Sequence, residues 1–193
     1  MSATKAIAAV RLLPAAALAL GLLLAPAAAE FVNENLLMTA PPGYRVDFQE
    51  KDKNSQIAEW VPEGETVDDW TEMVTVLTFF NASPRPEIYM HNIERYWREN
   101  CPGAEEAHRI ASLVENGYAS LVFLLSCPQN PKTGKLEMTW FKAIRGNDSL
   151  YVVQKAFKFA PSKEQIGRWM GFLRDVRVCD SRLPERACPK TPD

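Results

Sequence analysis

Residues 118–127 read YASLVFLLSC, a largely apolar run that predicts a buried β-strand. Directly before it stands Asn116-Gly117, the dipeptide most typical of a tight β-hairpin turn. A half-apolar segment at 106–114 precedes the turn and is predicted to be the partner strand. The sheet therefore contains at least one antiparallel hairpin, and this feature sets the fold class.

On both sides of this hairpin, segments that are apolar or that alternate apolar and polar residues predict further strands. They lie at 44–49, 56–61, 72–80, 136–145 and 150–159. A second hairpin turn is predicted at 146–149, because Gly, Asn, Asp and Ser stand together there.

Two segments instead repeat apolar residues every three to four positions, which predicts amphipathic helices near 84–99 and 162–176. Ser162 and Gln165 match a capping box at the start of the second helix. Trp97 and Trp169 fall on the apolar faces, so both are expected to be buried against the sheet.

The predicted order, β-β-β-α-β-β-β-β-α, indicates a single α+β domain. A mainly antiparallel sheet of six or seven strands is covered by two helices, each of which has only one apolar face to bury. The sequence divides into a signal peptide (1–29), an N-terminal lead-in (30–43), the α+β domain (44–178) and a C-terminal tail clipped by a disulfide (179–193).

The first thirty residues have the three parts of a secretory signal peptide. Lys5 and Arg11 supply the basic start, residues 12–25 (LLPAAALALGLLLA) supply a short apolar core, and 27–29 (AAA) supply small residues before Glu30. The core is shorter than the roughly 20 apolar residues that a membrane-spanning helix needs. We therefore expect a mature chain that begins at Glu30, is periplasmic or secreted from a bacterium, and is not stably inserted in the membrane after cleavage.

All four cysteines, Cys101, Cys127, Cys179 and Cys188, follow the leader, and none forms a C-x-x-C pair. An even number of cysteines in an oxidising compartment favours disulfides over metal or redox sites. Short separation favours Cys179–Cys188, which leaves Cys101–Cys127. The crossed arrangement, Cys101–Cys179 with Cys127–Cys188, stays open at this point.

Composition and motifs limit the possible functions. A net charge of −2 does not favour a nucleic-acid binder, which usually carries a basic excess. The sequence contains none of the common nucleophile, zinc-protease, phosphate-loop or dinucleotide motifs. The expectation is therefore that there are no catalytic residues, no metal site and no cofactor, and that the protein is not an enzyme. The only two histidines, His91 and His108, have no partner that spacing would identify.

One segment combines many carboxylates with tryptophan and contains no basic residue. Its candidate binding residues are Trp60, Glu63, Glu65, Asp68, Asp69, Trp70 and Glu72. A capped helical turn over 66–70, with Thr66 as N-cap, explains Thr66 and Asp69 without any ligand. The functional interpretation is a binding edge, where carboxylates attract a basic partner and aromatic rings anchor it. The ligand spacing of an EF-hand calcium loop is absent.

Basic residues follow two predicted neighbouring strands: Lys142, Arg145, Lys155 and Lys158. Such a stripe is typical of the solvent-exposed face of an antiparallel sheet. Binding of an anionic ligand is the alternative interpretation.

Two stretches, 59–62 (EWVP) with 64–73 (GETVDDWTEM), and 139–144 (TWFKAI) with 146–149 (GNDS), resemble secreted proteins of proteobacteria. The predicted order of elements is also similar to that of PsbP-like proteins, whose fold it implies. Neither resemblance implies an activity. The sequence therefore favours an exported, non-catalytic binding or accessory protein of the bacterial envelope, with an envelope protein or peptide as its partner. The alternative is a periplasmic hydrolase whose acid and base are carboxylates of segment 60–72.

Overall fold

The computed structural model describes residues 31–189. The predicted signal peptide therefore lies outside the described residues. Between residues 31 and 189, no helix is long and apolar enough to span a bilayer.

The elements follow the predicted order, with one extra strand at each end. They are β1 (Glu34–Leu37), β2 (Tyr44–Lys51), β3 (Ser55–Pro62), β4 (Glu72–Phe80), α1 (Pro86–Asn100), β5 (His108–Glu115), β6 (Tyr118–Cys127), β7 (Glu137–Arg145), β8 (Ser149–Phe157), α2 (Lys163–Asp175) and β9 (Arg177–Asp180). A short 3₁₀ turn, Pro184–Arg186, follows.

The main sheet has seven strands in the order β2-β3-β4-β8-β7-β6-β5, and all its neighbouring strands are antiparallel. The turn between β5 and β6 has positive φ at both Asn116 (50°) and Gly117 (75°), as a two-residue hairpin of the favoured hand requires. The prediction of an α+β domain with a mainly antiparallel sheet is confirmed. β2 and β5 are the two edge strands.

The two helices cover opposite faces of this sheet. α1 packs on β6 and β7, over a core that contains Leu121, Phe123 and Phe141. α2 covers the other face through Trp169 and Leu173. Ser162 and Gln165 form the predicted capping box at its start. We call the two sides of the sheet the α1 face and the α2 face.

One of the two predicted tryptophan burials needs correction. Trp169 is buried, at 6% exposure. Trp97 is only half-buried, because α1 presents it at the margin of the helix–sheet contact, where its ring meets Phe141 edge-on at 6.3 Å.

β1 and β9 form a separate two-stranded antiparallel sheet that the sequence analysis does not predict. β1 lies in the segment assigned to the lead-in, and β9 crosses the predicted boundary between domain and tail, with two residues on each side. Each has only four residues, too few to show an alternating pattern.

Both favoured disulfides are present in the structure. Cys101–Cys127 joins the end of α1 to the end of β6, with the Cα atoms 6.0 Å apart. Cys179–Cys188 closes the C-terminal segment into a loop, with the Cα atoms 4.9 Å apart. The crossed pairing is not the one adopted.

Candidate functional site

The segment between β3 and β4, residues 63–71, lies along the edge strand β2; we call it the acidic loop. The amide of Glu63 donates to the carbonyl oxygen of Gly43 at 2.9 Å, and the amide of Val67 donates to the Asp47 carboxylate at 2.7 Å. The Arg45 guanidinium donates to the carbonyl oxygen of Glu65 at 2.6 Å. These bonds fix the loop beside the first half of β2.

The predicted helical turn over 66–70 does not form. The Thr66 hydroxyl does accept a hydrogen bond from the amide of Asp69, at 3.2 Å, as an N-cap would. The same two residues also exchange both backbone hydrogen bonds, which closes 66–69 into a local turn, and no helix follows it.

The seven candidate residues fall on different parts of the molecule. Trp60 and Glu72 lie on the α2 face, where Trp60 packs against the core beneath α2. Trp70 lies on the α1 face and covers a small cluster made of Val61, Met73 and Ala156. The structure therefore does not bring the two tryptophans together on one surface.

Two of the five candidate carboxylates are held by internal hydrogen bonds. The Glu65 carboxylate accepts from both the amide and the hydroxyl of Thr71, at 2.7 and 2.6 Å. The Glu72 carboxylate accepts from Lys155 at 2.8 Å and from the Tyr44 hydroxyl at 2.7 Å. Both side chains act in the structure of the loop and sheet.

The other three carboxylates, of Glu63, Asp68 and Asp69, are exposed. No side-chain hydrogen bond or salt bridge to them is found among the described residues. They are the part of the predicted site that is available to a partner.

Beside the acidic loop, the edge strand β2 exposes apolar side chains. Val46 is 37% exposed and Phe48 is 38% exposed, and a bulge lies between them at Asp47. Within the described chain, β2 pairs only with β3, so its outer side offers backbone groups for further pairing. We call β2 together with the acidic loop the acidic edge.

Basic residues that sequence spacing does not place near the loop also reach it. The Lys158 ammonium lies 4.0 Å from the ring centre of Trp70. Arg45 forms an ion pair with Asp47 at 2.6 Å. The loop is therefore not uniformly acidic, and its free negative charge is confined to its three unbonded carboxylates.

The prediction of a solvent-exposed basic stripe is wrong for two of its four members. Lys142 and Lys155 are fully buried beneath α2. The Lys142 ammonium bonds to Glu115 at 2.7 Å and to the carbonyl oxygen of Val176, just after α2, at 2.8 Å. It thus satisfies a carbonyl group at the carboxyl end of the helix, where a positive charge is favourable.

Lys155 lies in a cluster of aromatic rings and one carboxylate. Its ammonium donates to the Tyr44 hydroxyl at 2.8 Å and lies 3.9 Å from the ring centre of Trp169 and 4.5 Å from that of Phe157. Burial lowers the pKa of Lys155 to about 8, against the raising effect of Glu72. Burial alone would raise the pKa of Glu72, but hydrogen bonds from Lys155 and Tyr44 hold it below its usual value.

One carboxylate that the sequence analysis does not select is Glu59, on β3. Its register places it on the α1 face, opposite Thr75. Burial raises the pKa of its side chain. The alternation of β3 is the only sequence signal that marks this half-buried acid.

A cleft of about 280 Å³ lies elsewhere, beside the Cys101–Cys127 disulfide. Its lining includes Tyr96, Trp97, Asn130 and Glu137, and the Glu137 carboxylate is bonded to Asn130 at 2.6 Å. Within residues 31–189, no group of three or more His, Cys, Asp or Glu side chains is placed to hold a metal ion.

No protein-family model matches the chain, and no curated protein sequence matches it. Solved structures that are distantly similar include a point mutant of the protein Mog1, at 16% identity and a TM-score of 0.42, covering 72% of this chain and 84% of that one. Another is the Ran-binding protein Mog1p of Saccharomyces cerevisiae, at 14% identity and a TM-score of 0.41, covering 73% of this chain and 84% of that one.

Proposed function

We propose that this chain is an exported, non-catalytic binding protein of the bacterial envelope and that its partner binds at the acidic edge. The observation that carries this proposal is the position of three unbonded, exposed carboxylates, Glu63, Asp68 and Asp69, beside the exposed Val46 and Phe48 of an edge strand. The proposal also places the chain with the secreted proteobacterial proteins that its two quoted stretches resemble.

The chemistry of the acidic edge defines the class of partner. An edge strand accepts an extended peptide through main-chain hydrogen bonds, and its side chains select the sequence. Apolar Val46 and Phe48 select apolar side chains, and the three carboxylates select Lys or Arg. The partner is therefore an extended, basic segment of an envelope protein or peptide.

Export is part of the same proposal. Its support is the basic, apolar and small-residue order of residues 1–29, together with two disulfides, which persist in oxidising compartments. The chain would then meet its partner in the periplasm or outside the cell.

The alternative, a carboxylate-based hydrolase, has one supporting observation: the raised pKa of Glu59, as a general acid requires. The geometry of segment 60–72 does not favour it. Glu72 has a lowered pKa and is bonded to Lys155, while Glu65 is bonded to Thr71. A general acid must carry a transferable proton at neutral pH, which the lowered pKa of Glu72 does not favour, and the Glu65 carboxylate is occupied as the acceptor of two hydrogen bonds from Thr71.

The binding experiment compares two triple variants of the mature chain. The first carries Glu63→Gln, Asp68→Asn and Asp69→Asn. The control removes three exposed acids elsewhere, through Glu99→Gln, Glu105→Gln and Glu106→Gln. Immobilised proteins capture partners from an envelope extract, and mass spectrometry quantifies each captured protein.

We expect at least one protein captured by the wild type to be reduced about tenfold or more in the first variant and unchanged in the control. Raising the salt from about 0.05 to 0.5 M should weaken the same capture, because the Debye length falls from about 14 to 4 Å. Equal capture by all three proteins would contradict the proposal.

A turnover assay on a panel of sugars and esters tests the alternative. Hydrolysis by the wild type that is lost in Glu59→Gln would replace the binding proposal with the hydrolase. The binding proposal predicts no turnover by either protein.

A further inference from the structure

A row of polar side chains crosses the part of the α1 face that α1 leaves open. Glu59 of β3 lies opposite Thr75 of β4, and Thr75 lies opposite Gln154 of β8. The next residue along the row is Phe141 of β7, which meets Trp97 of α1. Glu59 and Gln154 are only half-buried, so this part of the row reaches solvent.

These three side chains have no polar partner in the part of the chain that the structure describes. Among residues 31–189, no hydrogen bond or ion pair is formed by the Glu59 carboxylate, the Thr75 hydroxyl or the Gln154 amide group. Thr75 is only 8% exposed, and its unpaired hydroxyl retains contact with solvent. The row therefore presents free polar groups to the open face.

The charge of Glu59 is the least compensated of these groups. Burial raises the pKa of this carboxyl, and no basic side chain offsets the effect. Its neighbours on the same face of β3 are the apolar Ile57 and Val61. A partly desolvated carboxylate without a cation is unfavourable, and conflicts of this kind are expected mainly at functional sites. A positive charge brought to Glu59 would remove the conflict.

We propose that Glu59, Thr75 and Gln154 bind the guanidinium group of an arginine side chain that belongs to the basic segment bound at the acidic edge. The source of the arginine thus rests on the proposed function. A guanidinium group carries five N–H donors and no acceptor. The row offers a line of acceptors: two carboxylate oxygens, a hydroxyl oxygen and an amide oxygen. The ammonium group of lysine is a compact point charge and matches such a line less well.

The acidic edge gives direct access to this row. Phe48 of β2 lies opposite Glu59 and is 38% exposed. A strand added beside β2 would lie about 9.6 Å from β3, which is two strand spacings. An arginine on that strand can lie across the Phe48 ring, whose face attracts a cation, and place its guanidinium group at Glu59. Its aliphatic stem then covers apolar surface.

A titration with small molecules tests the site without the partner. The probes are N-acetyl-L-arginine amide and N-acetyl-L-citrulline amide, in which a neutral urea group replaces the guanidinium group. NMR spectra of the mature chain follow the backbone amide of Glu59 and the side-chain amide of Gln154. We expect the arginine probe to shift both signals with a dissociation constant of about 10 mM, and the citrulline probe to bind at least tenfold more weakly. Equal binding of the two probes, or unchanged signals at about 50 mM arginine probe, would overturn the proposal.

Two variants test the role of the carboxylate. Glu59→Gln removes the charge with little change in shape and should weaken binding of the arginine probe about tenfold, as expected for loss of a hydrogen bond to a charged group. Glu137→Gln is the control, since Glu137 is also half-buried on the α1 face but its carboxylate is bonded to Asn130 at 2.6 Å. It should change binding less than twofold. An equal effect of the two variants would overturn the proposal.

Stability separates recognition from a structural role. Because the Glu59 carboxylate has no polar partner among residues 31–189, Glu59→Gln should unfold at the same urea concentration as the wild type or at a higher one. A lower unfolding midpoint would show that Glu59 supports the fold through an internal contact, and would overturn the proposal.

Capture from an envelope extract connects the site with the acidic edge. Glu59→Gln should reduce, about tenfold, the same captured protein that is lost with Glu63→Gln, Asp68→Asn and Asp69→Asn. If the arginine probe binds at Glu59 but no protein is captured, the guanidinium site stands and the proposed function fails. If the triple variant loses a captured protein that Glu59→Gln retains in full, the acidic edge stands and the assignment of its arginine to Glu59 is overturned.

Discussion

At the scale of single residues, the Lys155 ammonium is a group whose burial the fold must compensate. It is fully buried, and burial of an unpaired charge costs several kcal/mol. Glu72, the Tyr44 hydroxyl and three aromatic rings compensate it. Arg168 and Glu65 act on it through their charges, in opposite directions.

This environment predicts an unusual dependence of stability on pH. The pKa of Lys155 is about 8 in the folded chain and 10.5 for an ordinary lysine. Between these values the unfolded state binds more protons, so folding becomes more favourable as the pH rises. From pH 7 to 9.5, wild type should gain about 2 kcal/mol in unfolding free energy relative to Lys155→Met.

Urea unfolding at several pH values measures this difference, with Lys163→Met, an exposed lysine of α2, as the control. The control should follow the wild type across the range. Parallel curves for the wild type and Lys155→Met would contradict the account of the buried lysine.

Glu34 is a second residue whose single side chain holds distant parts of the chain together. Its carboxylate accepts hydrogen bonds from the backbone amides of Asn147, Asp148 and Ser149, in the turn between β7 and β8. Glu34→Ala leaves three amides without this partner. We expect a loss of about 1–3 kcal/mol in unfolding free energy, which is the range for hydrogen bonds to a charged group.

Thermal or urea unfolding checks this value against Glu50→Ala, which removes an exposed carboxylate that forms no hydrogen bond or ion pair with the described residues. A Glu34→Ala variant as stable as Glu50→Ala would show that solvent replaces the carboxylate fully.

The burial of Lys142 and Lys155 could not be predicted from sequence. A lysine on an alternating strand is usually solvent-exposed, and only its partner shows otherwise. Those partners are remote along the chain: Glu72 is 83 residues from Lys155, and the Val176 carbonyl is 34 residues from Lys142. Local periodicity does not indicate such pairs. The burial of Trp169, by contrast, is predicted directly by its position on the apolar face of the second helix.

At the scale of elements, the two disulfides close loops of different length. The sequence separation is 26 residues for Cys101–Cys127 and 9 for Cys179–Cys188. In the chain-entropy account a longer closed loop stabilises the fold more. The expected stabilisation is about 3.5 kcal/mol for Cys101–Cys127 and about 2.5 kcal/mol for Cys179–Cys188. Replacing both cysteines of a pair with Ala should therefore cost more for the first pair than for the second.

Chemical unfolding of the two double variants tests this order, each serving as the other's control. If Cys179→Ala with Cys188→Ala lost more unfolding free energy than the other double variant, the Cys179–Cys188 bond would also stabilise contacts of the folded state, beyond reducing the entropy of the unfolded chain. The contacts of Arg182 with Asp180 and Asp148 are the structural candidates for that effect.

Local pattern predicts the long elements well and the short ones poorly. The strands at 72–80 and 118–127 are found at the predicted bounds, because each is long and flanked by clear turn residues. β1 and β9 were missed, since four residues carry no periodicity and their pairing spans most of the chain. The acidic loop has helix-start residues, but its tertiary bonds to Arg45 and Asp47 hold it as a turn.

At the scale of the whole molecule, the two edges of the sheet are available at the same time. β2 and β5 are separated by six strand spacings, or about 29 Å at about 4.8 Å each.

The proposal of export predicts a defined first residue for the mature chain. Mass spectrometry of the protein purified from its native host should find Glu30 at the N-terminus, because small residues occupy 27–29 directly before it. A chain that still begins at Met1 would contradict the leader interpretation.

The proposal of the acidic edge is the central claim, and photo-cross-linking in the native envelope tests it most directly. A benzoylphenylalanine is placed at Phe48 of the acidic edge or, as the control, at Tyr96, an exposed aromatic residue of α1. We expect a discrete protein adduct from position 48 and none from position 96. Adding Glu63→Gln, Asp68→Asn and Asp69→Asn should reduce the adduct about tenfold. No adduct at position 48, or one that forms equally at position 96 and survives loss of the three carboxylates, would contradict the claim.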